Sequence, residues 1–222
     1  MAFLRPALAL ATALAVDAGE PVKLPPPDPV GVTLSEALQA RKTDRVLVPP
    51  ALSLQEASQL LWAAQGENRP GRRTAPSIYA KYSLELYLVT MGSPTLPEGV
   101  YHYQSTGHLL EKVGEGGPKA MLGKVKGMFS LISNAPAVIV IAGDFNRVES
   151  AAFGKGVQYS WYEAGAASEN LLLMAAALKL GAATQTPYSV DMEEVGRILG
   201  MKKPVRPFSL LLLGRIGPPN AN

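Results

Sequence analysis

The stretch from Gly71 to Val89 reads GRRTAPSIYAKYSLELYLV and joins a polar, basic loop to a segment that reads as a strand. The strand covers Leu84–Val89. The loop before it collects cations, hydroxyls and the pair Lys81-Tyr82 at the point where the strand begins. Backbone amides, hydroxyl donors and fixed positive charge suit an anionic or electron-rich planar ligand. The stretch therefore predicts a ligand-binding loop at one end of a sheet.

Other segments extend this pattern to a whole fold. Three helices are predicted to begin after Thr33, Ser53 and Asp191, because each is a capping residue followed three positions later by Glu. Gly66 and Gly200 are expected to end the second and third of these helices. Further strands are predicted in four segments, the last two being nearly unbroken apolar runs: Tyr101–Tyr103, Leu109–Val113, Ala137–Ile141 and Phe208–Leu213.

A helix of about twenty residues is predicted from near Trp161 to Leu180. Its Leu171–Leu178 stretch is apolar almost all round, which indicates deep burial or a subunit interface. Together the elements predict an α+β protein with three layers, in which a mixed, mostly antiparallel sheet surrounds one central buried helix.

Composition narrows the functional classes. A chain of 222 residues with 47% apolar residues suits one domain. The net charge is +3, but the 21 Lys and Arg residues are scattered among 18 acidic ones, which argues against a nucleic-acid surface. The chain has no cysteine, and its two histidines, His102 and His108, lack a carboxylate cluster, so no metal site is predicted.

The chain ends differ from the body. Arg5, the apolar run Pro6–Val16 and small residues around Ala18 resemble a signal peptide in residues 1–18, although the run is too short to span a bilayer. The alternative is a retained N-terminal arm. A cleaved signal would make the protein periplasmic or exported, and a retained arm would leave it cytoplasmic. Residues 19–31 read as a proline-rich linker, 32–217 as the functional domain and 218–222 as a tail.

Residues 32–217 resemble the FMN-dependent nitroreductases, and more narrowly the SagB-type dehydrogenases that oxidise azolines in peptide natural products. The resemblance lies in five phrases: Leu54–Gly66, Arg73–Ser77, Gly99–Tyr103, Glu163–Gly165 with Glu169–Leu173, and Leu213–Arg215. It implies a nitroreductase-like fold, an FMN cofactor and a homodimer whose two subunits both contribute to each flavin site.

The resemblance also implies roles for basic residues. Arg41, Lys42, Thr43 and Arg45 match a basic-basic-hydroxyl-x-basic signature that holds the FMN phosphate and ribityl chain, and Arg215 matches a C-terminal arginine that reaches the same phosphate. Charge-assisted donors of this kind suit a phosphate dianion. The alternatives are an ordinary charged helix end for the first group and a strand-end charge for Arg215.

Near the flavin ring, the resemblance implies Ser77 as a hydroxyl beside the flavin and Arg73 as a further contact. Lys81 and Tyr82 match a pair in the azoline-oxidising branch, where an amine and a phenol could relay the proton that accompanies hydride transfer. The alternative is a surface lysine and a core tyrosine. Gln185 and Thr186 are the expected ring contacts from the loop 182–188.

The chain departs from its relatives at Tyr79, where they commonly have glycine, and in the loop 182–188, where they often have a Pro-x-Gly-x-Phe type segment. The expected function is ping-pong hydride transfer through FMN, from NAD(P)H or an organic donor to a nitro compound, quinone or azoline-type substrate. One alternative is a degenerate relative that acts as a non-catalytic binding or scaffold partner. Another is an exported protein that uses flavin without redox turnover.

Overall fold

A computed structural model of the chain describes residues 20–127 and 134–218. The segment 1–18, predicted as a signal peptide or arm, and nearly all of the predicted tail lie outside these residues. The strands are β1 Val22–Lys23, β2 Leu47–Val48, β3 Glu67–Arg69, β4 Arg72–Arg73, β5 Leu84–Thr90, β6 Gly99–Gln104, β7 Leu109–Gly114, β8 Ala137–Gly143, β9 Gly181–Gln185 and β10 Arg206–Ile216.

Eight of these strands form one sheet in the order β1-β7-β6-β5-β8-β10-β2, with β9 also pairing with β10. Strands β3 and β4 form a separate hairpin. Every strand pairing in the described ranges is antiparallel. The predicted α+β class and mostly antiparallel sheet are therefore confirmed.

The described residues contain six α-helices: α1 Leu34–Ala40, α2 Leu54–Gln65, α3 Pro118–Leu122, α4 Asn146–Glu149, α5 Gly156–Ala177 and α6 Met192–Ile198. The three predicted helix starts are confirmed. Thr33 and Ser53 each form a full capping box, and the Asp191 side chain accepts a hydrogen bond from the Glu194 amide at 3.1 Å. Helix α2 ends at Gly66 as predicted, where the Gly66 amide donates to the Trp62 carbonyl.

The sheet is covered on both faces. Leu84, Leu86 and Leu88 of β5 point into one core, which also contains Leu60 of α2 and Leu171 of α5. Strand residues of opposite parity, Val89, Val138 and Val140, point into a second core. Leu122 of α3 and Val195 of α6 complete that core. Burial of each large apolar side chain contributes about 1.5–3 kcal/mol. The three predicted layers are thus present.

Helix α5 is the central helix, but it starts and ends earlier than predicted. Lys179 takes a left-handed conformation with φ of 58°, which ends the helix and turns the chain into β9. One face of α5 lies in the core through Ala164, Ala167 and Leu171. The opposite face exposes aromatic residues such as Tyr162, which is 66% exposed. The apolar composition therefore serves both the core and an open surface.

The segment that begins at Ala182 was predicted as a loop, and this prediction is wrong for its first residues. Residues 181–185 form strand β9, which pairs with Leu210–Gly214 of β10. Ala182 and Ala183 are small and are buried in succession, so the sequence shows no alternation of apolar and polar residues there. None of the helices in the described part of the chain is both long and apolar enough to cross a membrane.

The proline-rich segment before the body packs against it. Val22 and Lys23 pair with Leu110 and Leu109 of β7. The Pro25 carbonyl accepts from the Ser58 hydroxyl at 2.6 Å. These contacts attach the segment to the β7 edge of the sheet and to α2.

Candidate functional site

The loop from Arg73 to Ser83 has a strained backbone. Tyr79, Ala80 and Tyr82 all have positive φ, at 46°, 56° and 48°. A non-glycine residue held in this region costs on the order of 1–3 kcal/mol, and such residues persist where the surroundings fix them. The Tyr79 backbone takes the left-handed conformation that glycine adopts freely. Its side chain is 75% exposed at the rim of the loop.

Glu163 of α5 fixes this loop. One carboxylate oxygen accepts from the Ser77 hydroxyl, and the other accepts from the Ser83 amide at 3.0 Å and the Ser83 hydroxyl at 2.8 Å. The Ser77 oxygen in turn accepts from the Tyr82 amide at 2.7 Å. Glu163 is fully buried, and a buried carboxylate requires such donors. One side chain therefore holds both ends of the strained segment.

Tyr82 is fixed as well, whereas Lys81 is at the surface. The Tyr82 hydroxyl accepts from the Arg73 amide at 3.1 Å, and the Arg73 guanidinium lies 4.7 Å from the centre of the Tyr82 ring. The side chains of Ser77, Tyr79 and Tyr82 line an open cavity of about 420 Å³. The structure thus brings Arg73, Ser77 and Tyr82 together, with Lys81 exposed beside them.

The basic segment Arg41–Arg45 follows α1. Arg41 lies 3.6 Å from the carboxylate of Glu169 on α5, and Lys42 lies 3.3 Å from Asp44. The Asp44 amide donates to the Ala182 carbonyl at 2.9 Å, which attaches the segment to the start of β9. Thr43 and Arg45 are exposed. This end of α5 therefore presents cations and a hydroxyl to solvent, a donor set that suits a phosphate.

Arg215 makes a bidentate ion pair with Glu56 near the start of α2, with N–O distances of 2.6 and 2.9 Å. Burial opposes ionisation of Glu56, but the Arg215 guanidinium and the Ser53 capping donors outweigh it, so the pKa of Glu56 is lowered. Arg215 is the cross-strand partner of Val48 in β2, and β2 directly follows the basic segment. The structure therefore places Arg215 at the sheet edge that the segment Arg41–Arg45 enters.

Helix α5 links the two groups of predicted residues. Glu169, which pairs with Arg41, and Glu163, which holds Ser77, are six residues apart, a rise of about 9 Å along the helix axis.

Gln185 is the cross-strand partner of Leu210 in the middle of β10, a strand that has Arg206 and Arg215 near its two ends.

Gln185 and Thr186 are engaged in a local turn. The Ser189 hydroxyl donates to the Gln185 side-chain oxygen at 3.0 Å, and the Thr186 carbonyl accepts from the Ser189 amide at 2.9 Å.

Sequence reasoning missed Glu163 and Glu56, which hold the candidate residues Ser77 and Arg215. Glu163 gave only its place in the phrase Glu163–Gly165, because the same helix also carries Glu169 and other polar residues. Glu56 gave only its capping-box signal.

The two histidines have structural partners. His102 lies 2.7 Å from Glu85 and stacks on Tyr87 at 4.7 Å. His108 contacts the hydroxyls of Ser58 and Tyr103, each at 2.7 Å. Within residues 20–127 and 134–218, no group of three or more His, Cys, Asp or Glu side chains could hold a metal ion.

Comparison with known proteins assigns the family. The nitroreductase family model matches residues 38–215. A Methanocaldococcus jannaschii protein provisionally described as a nitroreductase is 31% identical over 200 residues, covering 89% of this chain and 98% of the relative. A Ralstonia eutropha structure with the same provisional description is 27% identical, covers 92% of this chain and 93% of the other, and superimposes with a TM-score of 0.78.

More distant structures share the fold. A chain of the Escherichia coli microcin synthetase complex is 20% identical, with a TM-score of 0.65 and coverage of 86% of this chain and 75% of that one. The family match extends from the basic segment to Arg215 and includes both ends of the candidate site. The chain belongs to the nitroreductase family and is an oxidoreductase.

Proposed function

We propose that this protein binds FMN between the basic segment Arg41–Arg45 and the loop Arg73–Ser83, and that it acts as an FMN-dependent oxidoreductase. The observation that carries the proposal is the arrangement along α5. Arg41, the first residue of the basic segment, lies beside Glu169, and a strained loop is fixed by Glu163 about 9 Å away along the axis. FMN is elongated, with its phosphate and its ring at opposite ends, so a site with two such ends suits it.

The donor chemistry at the phosphate end fits. Arg41, Lys42, Thr43 and Arg45 would hold the phosphate and the ribityl chain. The Arg215 guanidinium has five N–H donors. Two of them, one on each terminal nitrogen, donate to the Glu56 carboxylate. Its remaining donors can serve a phosphate without loss of the pair, so Arg215 would hold the same group.

The ring end also fits. The Ser77 hydroxyl donates to Glu163 and accepts from the Tyr82 amide, which leaves one lone pair available to a ring donor. Arg73, Gln185 and Thr186 would supply further polar contacts. Because Glu163 fixes Ser77, this contact would be in place before a ligand arrives, which lowers the entropy cost of binding.

The chemistry that FMN supplies when bound is hydride transfer at its N5 atom, from NAD(P)H or an organic donor to an acceptor such as a nitro compound or quinone, in a ping-pong cycle. An azoline-type substrate would be the hydride donor, because its conversion to an azole is an oxidation. Lys81 and Tyr82 would handle the accompanying proton. The Tyr82 oxygen accepts from the Arg73 amide, so its own proton is available to donate. Exposed Lys81 would exchange that proton with solvent. This pair is also what supports the narrower assignment to the SagB-type branch.

A homodimer is part of the proposal. Trp161 and Tyr162 on α5, with Leu34 and Leu38 on the neighbouring α1, expose 42%, 66%, 66% and 53% of their area. Exposed large apolar side chains on two helices that contact each other favour association with a second copy through an isologous contact. Export of the protein stays a prediction from residues 1–18.

Anaerobic rapid mixing of FMN-loaded protein with NADH or NADPH, followed by the visible flavin absorbance, tests the reaction. We expect the donor to reduce the flavin and a nitro compound or quinone to reoxidise it. Steady-state rates at varied donor and acceptor concentrations should give parallel double-reciprocal plots. Lys81→Ala and Tyr82→Phe should slow these steps while leaving FMN affinity unchanged. Flavin-loaded protein that no donor reduces would favour the non-catalytic alternative. Unchanged rates in both variants would remove Lys81 and Tyr82 from the reaction.

A further inference from the structure

We propose that Arg69, Arg72 and Arg73 form a recognition site for an anionic oxygen group, a carboxylate or phosphate, on the small molecule that reacts at this site. The assignment of that ligand to a hydride donor or acceptor rests on the proposed function, whereas anion binding itself does not. All three arginines line the 420 Å³ cavity that also contains Ser77, Tyr79 and Tyr82.

The β3–β4 hairpin forces two of these charges together. Pro70 and Gly71 form its turn, with Gly71 at φ of 66°, and Arg69 is the cross-strand partner of Arg72. Like charges directly opposite each other in a ladder are destabilising. Because the hairpin has only a few residues, this repulsion is not offset by extensive pairing. A bound anion between the two guanidiniums would remove it.

No described carboxylate forms an ion pair with the cluster, although the charge of Glu85 acts on Arg73 from a longer distance. Within the described ranges, no carboxylate lies within 4.0 Å of a guanidinium nitrogen of Arg69, Arg72 or Arg73, whereas Arg147, Arg197 and Arg215 all form ion pairs. The nearest acid in the hairpin, Glu67, instead accepts from the Gly71 amide at 2.6 Å. The cavity therefore has a local excess of positive charge.

Arg73 adds a second line of support, because it is only partly exposed. Burial lowers the pKa of Arg73, as expected for a guanidinium removed from water. Its guanidinium donates to the Gln65 side-chain oxygen at 3.1 Å. Gln65 lines a neighbouring cavity with Glu85 and Arg147, and Arg73 lines both cavities. A partly desolvated cation at their boundary favours a negatively charged acceptor.

The walls of the cavity indicate the rest of the ligand. Tyr79 and Tyr82 bring two aromatic rings to the same space, and Ser77 belongs to the loop proposed to contact the flavin. A planar molecule that carries an anionic group would therefore be oriented with its charge at the arginines. Two sources share this chemistry: an aromatic acid used as acceptor, and the 2′-phosphate that distinguishes NADPH from NADH.

Paired substrates distinguish these sources. We would compare para-nitrobenzoate with neutral para-nitrobenzyl alcohol as acceptors, and NADPH with NADH as donors, using Arg69→Gln, Arg72→Gln and their combination. Arg197→Gln is the matched control, because it also removes one arginine charge but lies on α6, over the opposite face of the sheet from α2 and α5. The double variant should raise KM by about tenfold or more for the member of one pair that carries the extra anionic group, the range of charge-assisted hydrogen bonds.

The member of that pair without the extra anionic group, and the control variant with both members, should change less than twofold. A selective rise for para-nitrobenzoate assigns the anion to the acceptor, and a selective rise for NADPH over NADH assigns it to the 2′-phosphate of the donor. Equal effects on the two members of each pair would overturn the proposal.

A second measurement needs no flavin. Benzoate, compared with benzyl alcohol, should raise the Tm of the flavin-free unsubstituted protein and of Arg197→Gln, and should not raise that of the double variant. A benzoate effect that survives in the double variant, or no effect in any protein, would contradict the site. If the protein did not bind FMN, the proposed function would be contradicted. The effect of benzoate on the Tm would still test the anion site.

Discussion

The hydroxyl of Ser83 donates to a buried carboxylate oxygen of Glu163 across 2.8 Å, at the point where the candidate loop becomes strand β5. The other oxygen of the same carboxylate accepts from Ser77, six residues earlier. A single side chain of the central helix therefore connects the loop to the core. The strained backbone between these two serines depends on this connection.

Glu163→Gln tests that dependence. The amide would keep the shape of the side chain but replace an acceptor oxygen by a donor, which would face the hydroxyl or amide donors of Ser77 and Ser83. We expect a loss of about 2–3 kcal/mol in the free energy of unfolding, since buried hydrogen bonds to a charged group are affected. Urea unfolding followed by circular dichroism measures it.

Glu169→Gln is the matched control for that variant. The same chemical change is made on the same helix, but the Glu169 side chain is half exposed. Its single ion-pair distance to Arg41 is long, at 3.6 Å. Exposed pairs of this kind contribute less than about 1 kcal/mol. Equal losses in the two variants would show that Glu163 has no special part in holding the loop.

Tyr79→Gly should relieve backbone strain. Tyr79 has φ of 46°, a conformation that costs a side-chain-bearing residue roughly 1–2 kcal/mol and glycine very little. Because glycine also gains freedom in the unfolded chain, we expect a net stabilisation of about 0.5–1 kcal/mol. Tyr79→Ala retains the Cβ atom and should show no such gain in the same urea experiment. A stabilisation common to both variants would instead implicate the exposed ring.

The pair Arg215–Glu56 should be energetically coupled. A double-mutant cycle with Arg215→Gln and Glu56→Gln is expected to give a coupling of about 1–2 kcal/mol, because the pair is bidentate and partly buried. If Arg215 also holds the FMN phosphate, Arg215→Gln should weaken FMN binding more than Glu56→Gln does. A coupling near zero would reduce the pair to an ordinary surface contact.

His108 should make stability depend on pH. Burial, only partly offset by the hydrogen bond to Pro25, lowers the pKa of His108 below its ordinary 6.5. The unfolded chain therefore binds this proton at a higher pH than the folded protein does. Its contribution is fully present above about pH 6.5 and is lost as the pH falls through the lowered folded value.

Urea unfolding near pH 7.5 and near pH 5.5 checks this expectation. The unsubstituted protein should lose stability between the two conditions, and His108→Gln should lose less. The glutamine can still hydrogen-bond to the Ser58 and Tyr103 hydroxyls but does not titrate. An identical pH dependence in the two proteins would rule out His108 as its source.

The features that could be predicted from the sequence are those with a local signal. The caps at Thr33, Ser53 and Asp191 and the apolar strands β8 and β10 were recognised because their patterns lie within a few residues. Strand β9 was missed because its small side chains have no strand periodicity, and only pairing with β10 makes it a strand. A tertiary partner of this kind cannot be seen in a single sequence.

The same distinction applies to the site. The resemblance predicted the cations at Arg41–Arg45 and Arg215 as phosphate contacts from their order along the chain. It did not identify the long-range partners that position the site residues, Glu163 for Ser77 and Glu56 for Arg215, which are separated from them by many residues. The like-charge pair of Arg69 and Arg72 also became visible only with the register of the hairpin.

The most direct test of the central claim is a titration of the purified full-length protein with FMN, followed by flavin fluorescence. The account predicts tight, stoichiometric binding, with affinity reduced by about tenfold or more when Arg41 and Arg45 are both replaced by Gln, since two charge-assisted contacts to the phosphate are lost. Riboflavin, which lacks the phosphate, should bind weakly and respond little to those substitutions. Absence of FMN binding to the folded protein, or equal affinity for FMN and riboflavin, would contradict the proposed site.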